Sequence, residues 1–492
     1  MFKFLGHNCF RFETKGEILI TDPWFSNKGG FFGSWFQYPK NHHLLNSVIE
    51  DSFSQKKFFV FLSHEHQDHF DLDSIKKFSK KTTFLIPDFS DSFLLQQLKK
   101  LNFSLITLKH FKKLDISSNL YVRAIISDIG INHDCALIIQ TKKFCFLNQN
   151  DCKVFDILAQ IPEKINFYSV QFSGATWHPS NFILPLKQKN KIGRIKVLNK
   201  LNNVLNGNQI LKPDYFIPAA GPAIFPFLDE GLSKGVDNIF IHQDELNRFL
   251  SDKGIKNAIY LNPGDEFSDK NIEPIKPPST EEIIEYRKSV TNVWSELDVE
   301  FSNAALENLI VNKLNKIKDI SFEKSPIIVF KWGELSKERI IIDLNKKQLE
   351  DTYDGDYIEI FAEKKYFALM HSGHRWQDII LSLRAKVTRN PDIFSNTANI
   401  FLFSDLGNIR DAFLSTVNIS KERIKIMNNA GEVVEINKFC PHQGANLCEA
   451  PVDNNNILKC PRHGWEFDLN NHGINIKSGK SINLKKLTVS KN

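Results

Sequence analysis

The feature that most constrains this chain is a pair of short runs, Cys440-Pro-His442-Gln-Gly444 and Cys460-Pro-Arg-His463-Gly464-Trp465. Seventeen residues lie between His442 and Cys460, so two loops each offer one thiolate and one imidazole. Two thiolates suit one ferric iron and two neutral imidazoles hold the other; such mixed ligation raises a [2Fe–2S] cluster's potential above that of an all-cysteine one. The glycines that follow let the backbone turn tightly around a cluster. A structural zinc site is the plainer alternative, but zinc knuckles usually pair Cys with Cys and His with His. The order here is different.

Cys440, His442, Cys460 and His463 are therefore the expected ligands of a Rieske-type cluster. High-potential Rieske proteins add two cysteines that bridge the cluster loops. The matching places here hold other residues, Arg462 among them, and Cys448 has no evident partner. The pattern points to the low-potential, oxygenase-associated type, which relays electrons. Seven cysteines are sparse and odd in number, which argues against a disulfide framework and for a reducing compartment. No apolar stretch approaches the roughly 20 residues that cross a bilayer. A cytoplasmic protein without a membrane span is expected. The net charge of +6 over 492 residues is too mild for a nucleic-acid binder, and the 42 phenylalanines read as compositional bias.

A second run, Leu62-Ser-His64-Glu-His66-Gln-Asp68-His69, follows the strand-like segment Phe58–Leu62. In an extended segment His64 and His66 project to the same side and can grip one metal, while Asp68 and His69 face a second position. This H-x-H-x-D-H pattern resembles the metallo-β-lactamase superfamily. The resemblance implies Asp22 as an early structural aspartate, Asp151 as a bridging carboxylate and His133 as a third histidine. The expected metal ligands are His64, His66, Asp68, His69, His133 and Asp151, with His64, His66 and Asp68 carrying the chemistry. The superfamily usually supplies a last histidine after the strand that here reads Tyr215–Pro218, but Pro218-Ala-Ala-Gly-Pro222 contains none. His178 and His242 are open substitutes, and both one and two metals, iron or zinc, stay open. Diiron oxygen reductases of this superfamily carry a glutamate where His66 stands, which disfavours that subclass.

The two modules together resemble the CMP-N-acetylneuraminic acid hydroxylase family. Thr21-Asp22-Pro-Trp24, Gly33-Ser-Trp35, Gln171-Phe-Ser-Gly174-Ala, Pro218–Gly221, Trp376-Gln-Asp378 and Arg389-Asn-Pro391-Asp392-Ile393 carry the likeness. In that family the Rieske module leads the chain, whereas here it closes it. The expected fold is a metallo-β-lactamase-like αββα sandwich over 1–270, a mixed α+β region over 271–400 and an all-β Rieske domain over 401–492. The middle region should hold helices over 281–294, 303–316 and 376–387.

The resemblance implies an O2- and reductant-dependent monooxygenase, fed by a ferredoxin-, cytochrome- or reductase-type donor and acting on a small molecule such as an N-acyl sugar nucleotide. The alternative is a zinc hydrolase with a redox-sensing Rieske tail. Lys187–Lys200 has six basic residues and no acid. It reads either as a phosphate-binding face or as a solvated helix face, and the second is the commoner outcome.

Overall fold

The computed structural model describes residues 2–90, 93–129, 131–173, 176–221, 223–226, 239–267, 273–295, 297–333, 335, 338–419, 422–429, 431–442, 444–448, 450–462, 464–476 and 478–486. The chain opens with β1 (Phe2–Gly6), β2 (Cys9–Glu13) and β3 (Glu17–Thr21), an antiparallel meander. It is extended in parallel by β4 (Lys57–Phe61), β5 (Thr83–Pro87) and β6 (Ser104–Leu108). A second six-stranded sheet runs in the order β12-β11-β10-β9-β8-β7. Its strands are β7 (Lys113–Ser117), β8 (Leu120–Ile129), β9 (Asn132–Thr141), β10 (Cys145–Asn150), β11 (Phe167–Gln171) and β12 (Tyr215–Ala219), the last three parallel.

Alternation along these strands sends one set of side chains between the sheets and the other outward. Phe2, Phe4, Phe10, Phe12, Phe146 and Phe167 meet in the space between, where the Phe2 ring lies 5.1 Å from Phe146 and 5.0 Å from Phe167. Burying each such ring contributes about 1.5–3 kcal/mol, so the phenylalanine bias has a structural use. On the outer faces, Ile18, Ile20, Val60 and Phe84 pack in one apolar layer. The long helix Leu186–Leu211 contributes Val197, Leu201 and Val204 to the other, against Tyr168 and Phe216. The order of layers is helix, sheet, sheet, helix.

A third sheet follows, in the order β15-β14-β13-β16-β17. It comprises β13 (Ile327–Lys331), β14 (Arg339–Asp343), β15 (Gln348–Glu350), β16 (Tyr357–Phe361) and β17 (Lys386–Asn390). It shares a core with the helices Asn303–Lys316, Lys364–His371 and Asn396–Phe403. Ile409, Ala412 and Phe413 of the helix Ile409–Ile419 belong to the same core, so the terminal sheets start only beyond it. The helix expected over 376–387 stops at Leu381. The Ser382 hydroxyl donates to Ile379 O at 2.5 Å, and Leu383 turns to φ 60°. Val387 and Thr388, β-branched, then pair with β16. Sheet pairing overrides the helical reading there.

The terminal segment forms two three-stranded sheets, β18-β19-β23 and β20-β21-β22. These are β18 (Arg423–Met427), β19 (Val433–Asn437), β20 (Ile457–Lys459), β21 (Glu466–Asp468), β22 (Ile474–Asn475) and β23 (Lys485–Lys486). Among the described residues no helix is long and apolar enough to cross a membrane.

Candidate metal centre and cluster site

In open sheets with parallel strands, ligands gather at the carboxyl ends of those strands. Here Asp22 follows β3, the 63–69 run follows β4 and Asp151 follows β10. Asp22, fully buried at φ 34°, is the hub. It accepts from Asn8 Nδ2 at 2.6 Å and from the Ser63 amide and hydroxyl at 2.7 Å each. Its Oδ2 also lies 2.9 Å from His69 Nδ1. An imidazole bonded through one nitrogen to a carboxylate presents the other nitrogen in a fixed direction. Asp22 therefore aims His69 Nε2 into the site.

Two triplets converge there: His64, His69 and Asp151, and His7, Asp68 and His69, each with its ligand atoms within 4.8 Å of one another. His69 Nε2 is 3.6 Å from Asp151 Oδ1 and 3.7 Å from Asp68 Oδ2. His64 Nε2 and His66 Nδ1 are 2.8 Å apart. His69 Nε2, Asp68 Oδ1 and Asp151 Oδ1 are buried without a hydrogen-bond partner. Buried polar atoms are nearly always satisfied, and imidazole and carboxylate donors left over in this way fit a divalent metal. Charge agrees. Burial disfavours a protonated His69, yet Asp68, Asp151 and Asp22 together hold its pKa well above the ordinary value. Three carboxylates around one imidazole make the site favourable to positive charge.

Of the expected ligands, His64, Asp68, His69 and Asp151 fall in the triplets, while His66 lies outside both but beside His64, and His133 also lies outside both. Its Nδ1 is 2.5 Å from Asp128 Oδ1. The next residue, Asp134, instead reaches to 3.4 Å from His64 Nδ1. Neither open substitute joins a triplet: His178 lies 3.5 Å from Asp392 and His242 precedes the helix Gln243–Asp252. Sequence reasoning gave no role to His7, whose Nε2 is 3.2 Å from Asp68 Oδ2.

It also missed a clamp from the middle region. Arg375 pairs with the buried Glu65 at 2.9 Å. The Gln377 amide nitrogen is 2.7 Å from His66 Nε2, and Gln67 Nε2 donates to Asp378 at 3.1 Å. The metal loop is thus held from behind by Arg375–Asp378. The Trp376-Gln-Asp378 stretch was visible as a motif, but its target was not.

The two loops near the end are built alike. Gly444 N donates to Cys440 O and Gly464 N to Cys460 O, both at 2.9 Å, with φ at 65° and 67°. The cysteine amides return to Ala445 O and Trp465 O. Both cysteines are buried, and no disulfide joins any of the seven cysteines. The His442 ring stacks on Trp465 at 4.4 Å and 7°, with Phe394 edge-on at 4.4 Å. Burial, reinforced by Lys153, Lys196, Lys480 and Arg462, drives the His442 pKa well down, and a neutral imidazole is what a cluster iron binds. His463 lies outside the described residues. Paired turns, buried cysteines and a neutral histidine fit a [2Fe–2S] cluster.

Residues 402–486 match the family model of the Rieske [2Fe-2S] domain, and residues 1–145 that of the β-lactamase superfamily domain. The chain joins a metallo-β-lactamase-like domain to a Rieske domain. The Rieske domain implies a [2Fe–2S] cluster, and the metallo-β-lactamase-like domain implies a dimetal centre of iron or zinc. A protein described as a Rieske 2Fe-2S iron–sulfur protein of Mycolicibacterium smegmatis is 23% identical over 98% of this chain and 99% of its own. The large subunit of 2-halobenzoate 1,2-dioxygenase from Burkholderia cepacia is 32% identical over 16% of this chain and 17% of its own. Among solved structures, CmlA, a diiron β-hydroxylase from Streptomyces venezuelae, covers 53% of this chain and 52% of its own at 15% identity and TM-score 0.36. An isothiocyanate hydrolase from Delia radicum gut bacteria covers 54% and 98% at 12% identity and TM-score 0.36.

The Rieske domain sits against the metallo-β-lactamase-like domain through its cluster loops. Asn446 N donates to Asp156 Oδ2 at 3.1 Å, and Asn203 Nδ2 donates to Arg462 O at 3.2 Å. A Cβ built on Gly464 would lie 3.0 Å from the Asn199 amide. The long helix is not simply solvated along its basic run. Lys187 and Lys191 are exposed. Lys196 Nζ, however, donates to Thr176 Oγ1 at 3.0 Å and His178 O at 2.5 Å, and Lys200 donates to Gln171 Oε1. Burial and the neighbouring Lys153 lower both of these pKa values to about 7. Cys152 is a buried thiol in the apolar layer beneath.

Proposed function

We propose that this chain is a Rieske-type, iron-dependent monooxygenase. Cys440, His442, Cys460 and His463 would hold the cluster and His64, His66, Asp68, His69 and Asp151 the iron; with a ferredoxin-, cytochrome- or reductase-type donor, these groups would supply one-electron transfer and O2 chemistry. The observation that carries this reading is the seating of a cluster loop on Asp156, five positions along the chain from Asp151. Five residues span at most about 18 Å even when fully extended. A redox module packed that close to a histidine–carboxylate centre suits electron delivery within one chain. In a zinc hydrolase the cluster could pass no electron to the metal, since zinc has no redox chemistry.

The protein's own groups have separable tasks in this scheme. Asp22 orients His69, Gln377 orients His66, and Arg375 keeps Glu65 ionised behind the metal loop. Lys196 and Lys200, held by Thr176, His178 and Gln171, have pKa values of about 7, and in their protonated form they suit an anionic substrate. The N-acyl sugar or sugar-nucleotide class, with CMP-N-acetylneuraminate as its type, is the substrate reading the sequence motifs support.

Metal analysis of anaerobically purified protein, paired with low-temperature EPR after dithionite reduction, tests the proposal. A Rieske signal with about one or two irons beyond the cluster is expected. A Rieske signal accompanied by stoichiometric zinc, and activity without O2 or reductant, would favour a hydrolase.

A further inference from the structure

The turn after β12 lacks the histidine that usually completes the second metal position, and it has no room for one at Gly221. A Cβ there, at φ 146°, would lie 2.2 Å from Ser173 O. What does reach this place is the turn between β1 and β2. Ala220 N donates to His7 O at 2.8 Å, which ties the turn after β12 to the backbone of His7 itself. The same turn is anchored on its other side, where Asn8 Nδ2 donates to Asp22 and Asn8 O accepts from the Thr21 hydroxyl at 2.7 Å. Between these anchors His7 stands at φ 49°, a conformation a side-chain-bearing residue adopts rarely and holds only when its surroundings demand it.

The His7 side chain is 5% exposed and points inward. Its ring packs edge-on to Trp24 at 5.0 Å and lies 5.4 Å from the His69 ring. Nε2 is 3.2 Å from Asp68 Oδ2 and shares a triplet with Asp68 and His69. The other Asp68 oxygen and His69 Nε2 have no hydrogen-bond partner, in residues nine-tenths or more removed from water. His69 Nδ1 is already committed to Asp22, so its Nε2 lone pair is the one left for a ligand.

We infer that His7 is a metal ligand, replacing the absent last histidine from the opposite side of the sandwich, so that His7, Asp68 and His69 hold the second of two metal ions. The first ion falls to His64, His69 and Asp151, with His66 beside His64 and His69 shared between the two. This ligand set is independent of whether the centre performs oxygenation or hydrolysis.

Zinc binding to the full chain with its iron–sulfur cluster in place, followed by equilibrium dialysis and metal analysis, tests the inference. The unaltered chain should hold two zinc ions beyond the cluster and His7→Ala one, even at saturating zinc. His7→Asp, which offers a carboxylate oxygen in place of the imidazole nitrogen, should recover the second at weaker affinity. His178→Ala and His242→Ala should keep two. A residue that only oriented Asp68 would weaken binding about 10- to 100-fold while leaving the stoichiometry at saturation unchanged. Two zinc ions in His7→Ala, one in the unaltered chain, or loss of the second ion in His178→Ala or His242→Ala overturns it. The cluster's EPR signal reports that each variant is folded. If the oxygenase reading fails, activity changes but this count does not.

Discussion

Arg375 illustrates how single residues shape the site. Its charge lies in the interior beside Glu65, where burial opposes ionisation but Arg375, with the His133 and His66 rings, holds the carboxyl at about 2. Removing one partner of a buried pair leaves the other uncompensated, at about 3–5 kcal/mol. Arg375→Met should lose stability of that order in urea denaturation; a loss under about 1 kcal/mol would contradict the assignment. Lys196 gives a pH signature. Burial, Lys153 and Arg389 bring its pKa to about 7 against the pull of Asp392, while an unfolded lysine titrates near about 10.4. Between those values the unfolded chain binds more protons, so stability attributable to Lys196 rises with pH across the window. Wild type should gain stability relative to Lys196→Met between about pH 7 and about pH 9.5. Parallel curves would show that Lys196 keeps its ordinary pKa. The residues legible from sequence were those whose partners are near in the chain: His64, His66, Asp68 and His69 within one turn-rich loop, and Cys440 with His442. His7 was not, because contacts of the β1–β2 turn with the distant Ala220, Thr21 and Asp22 bring it to Asp68.

At the scale of elements, the helix Leu186–Leu211 separates local preference from packing. Gly207 lies in it where Ala should gain up to about 1 kcal/mol in helix propensity. A Cβ there, however, would meet the Tyr168 ring at 3.0 Å and its hydroxyl at 2.5 Å. Tyr168 is fully buried and donates to Gln149 at 2.7 Å, so it cannot swing aside without breaking that bond. Overpacking of this kind costs about 1–3 kcal/mol, so Gly207→Ala should lower Tm; a raised Tm would mean that the ring yields. The same contest explains the segment after Trp376. Its apolar spacing reads as one helix to 387, yet β16 offers a sheet edge that Val387 and Thr388 take. Period-two alternation, which is decided within each strand, made the segment Phe58–Leu62 before the metal run readable, whereas the αββα layering came only through the resemblance. Sheet pairings with distant partners leave no such local mark, and the approach of Arg375–Asp378 to the metal loop belongs to that class.

At the scale of the whole molecule, the proposed function needs electron transfer between two centres. The seating of the cluster loops on Asp156, Asn199 and Asn203 puts the cysteine–histidine turns beside the segment that carries Asp151. The most direct test is a rapid-mixing experiment on anaerobically reconstituted protein with its cluster reduced and its N-terminal site filled with ferrous iron. Oxygen is then added with and without candidate N-acyl sugar nucleotides, and the Rieske EPR signal is followed. The account predicts that the signal is lost much faster in the unaltered chain than in His64→Ala or Asp151→Ala, whose clusters are intact but whose second centre is not. Reoxidation at the same rate in all three would contradict it, because the cluster would then be discharging without passing its electron to the metal centre.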